Sequence, residues 1–220
     1  MSTVTEAMVL EKEQQNAARR DALNKRSQKV SHAAEPDPNF PPECCCVKPL
    51  IYHNIREQVP VPQQRFMYIL AGLYIVLMIL IVYNIVAALV AFIMGGSAMH
   101  FGLSFLYLLG LPGAWITWYY NAYCAIVYSS RPRQLLALLG LLLGVAFDAW
   151  MAVGVTGFGG CGWIYAFTIM SHTVPFALVL VSAILWSLHG VALFLMMLRY
   201  WRVSGLLLKN AANIYRQRIV

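Results

Sequence analysis

The chain has 220 residues, of which 60% are hydrophobic and only 11% are charged. Soluble domains are typically about 45–50% apolar and about 25% charged. The formal net charge of +7 comes from Lys and Arg outside two long apolar blocks. This composition excludes a secreted disulfide scaffold, a soluble enzyme and a nucleic-acid-binding domain, and it predicts an all-α membrane protein.

The two apolar blocks carry almost no charge. Residues 66–130 contain no Asp, Glu, Lys or Arg, and residues 134–198 contain only Asp148. A small soluble domain needs a polar face on nearly every helix, so blocks of this kind must face lipid. Because a spanning helix needs about 20 apolar residues, each block predicts two helices.

Glycine clusters divide each block into its two helices. Gly95 and Gly96 interrupt the first block, and residues 157–162 interrupt the second. The predicted transmembrane domain covers residues 66–198. Its four helices, arranged as two hairpins, are expected at about 67–94, 101–119, 134–156 and 174–198.

Basic residues predict the orientation of the chain. Nine Lys and Arg lie in the N-terminal tail, residues 1–65, and five in the C-terminal tail, residues 199–220, with Arg131 and Arg133 between the hairpins. The other two turns contain none. Since Lys and Arg concentrate in cytoplasmic loops, both termini and the central turn are expected in the cytoplasm. The first 30 residues are polar, so we expect no cleavable signal peptide.

The N-terminal tail divides into two predicted segments. Residues 2–30 favour helix by composition, either as a solvated helix or as a short coiled coil that makes a homo-oligomer. Residues 35–62 are rich in Pro and Cys and are expected to be extended or turn-like.

Three adjacent cysteines in the second segment are candidate S-acylation sites. Cys44, Cys45 and Cys46 precede the first span, where S-acylation would pin the chain to the bilayer, and free thiols are the alternative. A structural zinc site needs four ligands, and only His53 lies nearby. We therefore predict no metal.

An aromatic segment, residues 114–133, connects the second and third predicted helices and ends in two arginines. Its composition predicts a membrane-surface loop with its rings at headgroup depth, where it contacts anionic lipids or phosphoinositides. An ordinary aromatic belt at a helix end is the alternative. The candidate lipid-interacting residues are Trp115, Trp118, Tyr119, Tyr123, Arg131 and Arg133. The basic C-terminal tail predicts a second interfacial helix.

Three polar residues fall inside the predicted spans: Asn84, Asp148 and His189. An intramembrane carboxylate is costly and is a functional hypothesis by default. Asp148 is expected to pair with His172 or His189, either as a structural element of the bundle or in a transport pathway. The chain lacks a nucleophile–base set, a metal-ligand cluster and a phosphate-binding glycine loop, so we predict no enzymatic activity and no cofactor.

Short motifs follow one another in a fixed order along residues 39–205. They are Asn39-Phe40-Pro41-Pro42, Val47-Lys48-Pro49 with Tyr52, Phe101-Gly102-Leu103-Ser104, Trp118-Tyr119, Gly160-Cys161-Gly162-Trp163-Ile164 and Trp201-Arg202 with Gly205. In this order and spacing they resemble the secretory carrier-associated membrane protein (SCAMP) family. The stretch Cys161, Gly162 and Trp163 is similar to the lumenal motif of that family.

The resemblance implies a role in vesicle trafficking. It implies residence in Golgi and trans-Golgi membranes, recycling endosomes, secretory vesicles and the plasma membrane, with a central loop that acts on phosphoinositides during exocytosis. Tyr120 and Asn121 stand where the family has an Arg-Pro pair, and the Asn-Pro-Phe repeats of many members do not occur here. We predict a short, divergent, non-enzymatic member that meets trafficking proteins on the cytoplasmic side. A small transporter or channel with Asp148 in its pathway is the alternative.

Overall fold

A computed structural model describes residues 12–17, 20–21, 37–40, 48 and 51–217, with side chains in the last range up to Arg202. Residues 12–17 and 20–21 are helical. The rest of the predicted helix 2–30 lies outside the described residues, as do Cys44, Cys45 and Cys46. The expectations for these segments stay predictions.

Residues up to His53 belong to one structural unit, and residues from Asn54 onward belong to a second. In the first unit, Phe40 and Ile51 form an isolated antiparallel bridge with backbone hydrogen bonds of 2.9 and 3.0 Å. The Asn39 side chain accepts from the His53 N–H at 2.7 Å and donates to the His53 carbonyl at 3.1 Å. Partial burial lowers the pKa of the His53 imidazole. Asn39 and Phe40 are thereby joined to the stretch that contains Tyr52.

The second unit is helical. Its helices are α1 Ile55–Gln58, α2 Val61–Ile93, α3 Ala98–Val127, α4 Arg131–Val153, α5 Trp163–Thr168 and α6 Thr173–Gln217. Four of these, α2, α3, α4 and α6, are long and apolar enough to cross a membrane. The prediction of an all-α membrane protein with four transmembrane helices is confirmed.

Three helices extend further than the sequence suggests. The α2 helix begins at Val61 rather than at about 67, and α1 also lies within residues 35–62, so the end of that segment is helical and not extended as predicted. The α3 helix continues to Val127, beyond Tyr119, so most of the aromatic segment is helical. The α6 helix has 45 residues, which at about 1.5 Å per residue exceeds twice a hydrocarbon core of about 30 Å. Its last turns therefore run beyond the bilayer and include most of the predicted basic tail.

Polar caps and glycines set the helix ends. Asn54 caps α1 by accepting hydrogen bonds from the next backbone N–H groups, and Ser97 does the same for α3. Gly154 ends α4 in the left-handed conformation with φ of 61°, which glycine adopts without steric cost. The short turns after α2 and α3 make consecutive helices antiparallel.

The α6 helix packs along both α4 and α2. At one end of the bundle, Phe66 of α2 stacks on Tyr200 of α6 with ring centroids 5.6 Å apart. Ile79, Leu143 and Val191 are about 60% exposed on the outer surface, where a lipid environment suits them. The apolar outer face and the buried seams between helices together give the arrangement of a membrane bundle.

Candidate functional site

The aromatic segment is folded into the bundle. Trp118, Tyr119 and Tyr123 are only 1%, 2% and 2% exposed. The ring of Tyr74, on α2, lies 5.9 Å from Trp118 and 5.8 Å from Tyr119. This corrects the expectation that these three side chains contact lipid headgroups, because all three are buried and Tyr74 supplies a partner for the rings of Trp118 and Tyr119. Trp115 is half-buried beside Tyr74 at 5.4 Å.

The α3 helix is irregular at this point. A 3₁₀ turn spans Phe105–Leu109, and a π-helical turn spans Trp115–Tyr119. The Asn121 side chain donates to the carbonyls of Ile116 and Thr117 at 2.8 and 3.1 Å. A Cβ on Gly140 of α4 would collide with the Thr117 carbonyl, so the two helices touch through their backbones. Such π-helical turns often occur at functional sites.

The segment before the first span is attached to the same end of α3. The Tyr123 hydroxyl accepts a hydrogen bond from the Asn54 N–H at 3.0 Å and donates one to the side chain of Gln58. Gln64 of α2 donates to the carbonyls of Arg56 and Val59 at 3.0 and 2.9 Å. These contacts hold α1 against the bundle. Sequence reasoning missed them because Gln58 and Tyr123 are far apart in the chain.

Arginines collect at this end of the bundle. Arg131 is exposed at the start of α4, and Arg133 lies with its guanidinium 5.9 Å from the centre of the Tyr120 ring. Between residues 54 and 202 the acids are Glu57 and Asp148, and only Glu57 lies here. The basic residues of that range are Arg56, Arg65, Arg131, Arg133, Arg199 and Arg202.

At the opposite end, the glycine-rich turn between α4 and α5 folds in between the helices. The Asn84 amide donates to the Gly159 carbonyl at 2.9 Å and accepts from the Cys161 N–H at 2.8 Å. The Cys161 thiol donates to the Asn84 carbonyl at 3.5 Å. Cys161 is fully buried, which raises the pKa of its thiol to about 12.

His100 holds the same turn from the side of α3. Its Nδ1 accepts hydrogen bonds from the N–H groups of Gly157 and Gly159 at 3.1 and 3.2 Å. Its ring stacks on Tyr165 with centroids 3.8 Å apart. His100 was not predicted as a site residue, although it is the one histidine of the charge-free block 66–130.

The other two residues of the predicted lumenal motif, Gly162 and Trp163, differ in their burial. Gly162 lies against the carbonyls that end α4, where a Cβ would clash with Met151 and Ala152. Trp163 remains 37% exposed, and its indole N–H donates to Ser187 at 3.1 Å. The motif therefore closes the turn onto α4 and α6.

Asp148 and His189 form a buried pair. The Oδ2 atom of Asp148 lies 2.8 Å from Nδ1 of His189, and the Nε2 atom of His189 lies 3.1 Å from the Leu73 carbonyl. A carbonyl only accepts, so Nε2 carries a proton. Whichever partner holds the other proton, the pair is neutral overall. The two expected partners of Asp148 are thus resolved in favour of His189, while Asn84 belongs to the separate turn site.

The polar groups of these sites form hydrogen bonds that hold parts of the chain together, and they do not form a metal-ligand cluster. Among the residues that the structure describes, no three His, Cys, Asp or Glu side chains lie close enough to hold a metal ion. The Asn84 and His100 contacts bind backbone, and the Asp148 pair binds α4 to α6 and α2. These are means of holding four helices and a re-entrant turn in one arrangement.

Comparison with known proteins identifies the group to which the chain belongs. The model described as the SCAMP family matches residues 37–205. Secretory carrier-associated membrane protein 4 of Bos taurus is 30% identical over 167 residues, 73% of this chain and 72% of the relative. Secretory carrier-associated membrane proteins 4 and 5 of Homo sapiens are each 27% identical, covering 77% and 78% of this chain and 76% of each relative. No solved structure matches the chain. The chain is a membrane protein that belongs to the SCAMP family.

Proposed function

We propose that this protein is a non-enzymatic component of vesicle trafficking that acts through the basic end of its bundle. The observation that carries the proposal is the collection of six arginines there, opposite an end that has no Lys or Arg among residues 94–97 and 154–172. Basic residues near an anionic leaflet contribute about 1 kcal/mol each. Arg131 and Arg133, in the first turn of α4, are the best placed to meet lipid headgroups.

The expected setting is the one that the names of the relatives suggest, a membrane of the secretory carriers. In this proposal the protein cycles between Golgi and trans-Golgi membranes, recycling endosomes, secretory vesicles and the plasma membrane. Anionic lipids or phosphoinositides, trafficking proteins and further copies of the chain are its proposed partners. The alternative of a transporter with Asp148 in its pathway gains no support from the buried Asp148–His189 pair.

The lipid part of the proposal is tested on the full chain in nanodiscs of neutral lipid. The probe is inositol trisphosphate, the soluble headgroup of a phosphoinositide. Binding should weaken as salt rises, since ions screen exposed charges. The double variant Arg131→Gln/Arg133→Gln should lose about 2 kcal/mol, or about thirtyfold in affinity.

The matched control is Arg131→Lys/Arg133→Lys, which keeps both charges and should retain most of the binding. Binding that is insensitive to salt, or equal in the Gln and Lys variants, would remove the electrostatic role of this turn. The trafficking part is tested separately by following the tagged full chain in living cells. A steady residence outside secretory and endosomal membranes would contradict it.

A further inference from the structure

A cavity of about 250 Å³ lies between α2, α3, α4 and α6. Leu77, Gly113 and His189 line it, and each of them lies near the middle of its span. The cavity is only partly enclosed, and at this depth an opening faces hydrocarbon rather than water. Its walls are apolar apart from Asp148, His189, Thr117 and the indole N–H of Trp118.

The backbone beside the cavity is interrupted. The short helical piece Gly110–Ala114 stands between the 3₁₀ turn and the π-helical turn of α3, and both Gly110 and Gly113 line the cavity. Irregular backbone at membrane depth occurs where it is buried or lines a cavity. Discontinuous helices that contain Gly and Pro are a recognised sign of intramembrane binding sites.

Asp148, which lines this cavity, has one unused acceptor. His189 engages Oδ2 of Asp148, while Oδ1 has no hydrogen-bond partner among the described residues. The Asp148 side chain is 1% exposed. A buried polar atom without a partner is costly, so a bound group that donates one hydrogen bond to it would be stabilised.

The charge and polarity of the cavity limit which chemical group can bind to Oδ1 of Asp148. Because the Asp148–His189 pair is neutral as a unit, a cation would bring uncompensated charge into an apolar cavity. An anion would face a carboxylate. A hydroxyl group on an apolar body donates the missing hydrogen bond without adding charge.

We propose that this cavity binds a neutral membrane lipid by its hydroxyl group, of the class that includes sterols and diacylglycerols. The volume of about 250 Å³ is just below the range of about 300–1,000 Å³ that is typical of pockets for small ligands. The cavity therefore takes the hydroxyl end of the lipid, and the rest remains in the bilayer. Asp148 accepts the hydrogen bond through Oδ1.

The test uses the full chain in nanodiscs and photoreactive probes. One probe is a sterol and the other is a diacylglycerol, and each is paired with a methyl ether that lacks the hydroxyl donor. The hydroxyl form of at least one probe should label residues 110–118 or 143–148 saturably. Its methyl ether should label about fivefold less, as expected for one lost hydrogen bond.

Two matched variants check the location. In Gly113→Leu the new side chain enters the cavity, and a Cβ at Gly113 meets no atom within 4 Å. Gly102 is equally open but lies outside the cavity, so Gly102→Leu is the control. Saturable labelling should fall at least tenfold in Gly113→Leu and stay unchanged in Gly102→Leu.

Several outcomes would overturn the proposal: no saturable labelling of the native chain, equal labelling by the methyl ether, or equal labelling of both glycine variants. Preferential competition by an alkylammonium amphiphile would assign the cavity to a cation instead. If the site is real, the probe that labels it identifies the lipid source. None of these results depends on the arginines at the end of the bundle, so the trafficking proposal is tested independently.

Discussion

Asn84 holds two backbone groups of the glycine-rich turn at once. Its amide pairs with the Gly159 carbonyl and the Cys161 N–H, while His100 takes the N–H groups of Gly157 and Gly159. Inside a bilayer, water does not replace such partners. These two side chains therefore pair four backbone polar groups of an irregular turn that enters the bundle.

Replacing Asn84 should release this turn. In Asn84→Leu two buried backbone groups lose their partners, at a cost of about 1–3 kcal/mol each, so the turn should open and expose Cys161. The readout is maleimide labelling of Cys161 in a chain whose other cysteines are replaced by Ser. Native Cys161 should stay unlabelled at pH 7.

The pH dependence of maleimide labelling distinguishes a buried Cys161 from an exposed one. The thiolate is the reactive form, and burial raises the pKa of Cys161 from 9.0 to about 12. Native Cys161 should therefore remain mostly unlabelled even at pH 9, whereas an exposed cysteine in Asn84→Leu should label faster as the pH approaches 9. Rapid labelling of the native chain at pH 9 would contradict the buried site.

The Asp148–His189 pair predicts a specific pattern of stability. His189→Leu leaves the Asp148 carboxyl group buried alone, which should destabilise the fold by about 3–5 kcal/mol. The double variant Asp148→Leu/His189→Leu removes both polar groups and should be less destabilised than His189→Leu. Thermal unfolding in detergent measures the difference, and a double variant that is worse than either single variant would exclude this account.

At the scale of elements, the contact between α3 and α4 depends on a missing side chain. Gly140→Ala would place a Cβ against the Thr117 carbonyl, while Gly102→Ala on α3 meets open space. Both changes gain about 1 kcal/mol of helix propensity. The clash at Gly140 is with backbone, so overpacking should cost near the upper end of about 1–3 kcal/mol and outweigh that gain. The unfolding temperature of Gly140→Ala should therefore fall, while that of Gly102→Ala rises slightly. Equal shifts would mean that the helices do not meet at Gly140.

The aromatic segment shows the limit of prediction from sequence: the spanning helices could be predicted, but the surroundings of its rings could not. Two charge-poor blocks were enough to predict four helices, because charge is expelled from lipid whatever the packing. Rings such as Trp118 and Tyr119 fit a headgroup belt and a protein core equally well. Tyr74 is the partner that places these rings in the protein core rather than in a headgroup belt. It lies on another helix, so no local sequence pattern predicts the contact.

For the bundle as a whole, the partner of Asp148 could be predicted from the sequence as one of two histidines, whereas the partners of Asn84 could not. A single carboxylate in a span is conspicuous, and its partner had to be one of two histidines in the same apolar block. An Asn or a neutral His in a span is unremarkable, so the pairing of Asn84 and His100 with residues 157–161 depended on the three-dimensional arrangement. The Asp148 site could thus be predicted because a buried carboxylate is costly. The contacts of Asn84 and His100 could not be predicted because they form only in the folded structure.

The contacts of α1, α3 and α6 gather the arginines at one end of the bundle. Tyr123 holds Asn54, and Phe66 stacks on Tyr200, so the start of α2, the turn after α3 and this part of α6 face the same side. Since positive residues favour the cytoplasmic side, this end is predicted to lie in the cytoplasm. The turn between α5 and α6 is then on the other side of the membrane.

Single cysteines test this orientation. In sealed, right-side-out plasma-membrane preparations of cells that express a chain without its other cysteines, Ser171→Cys should react with an impermeant maleimide and Ser129→Cys should not. Permeabilisation should make Ser129→Cys reactive. Both serines are exposed in turns, so accessibility of the side chain is matched. The reverse pattern would put the six arginines outside the cell, where they could not meet the anionic cytoplasmic leaflet, and the proposed function would fail with the topology.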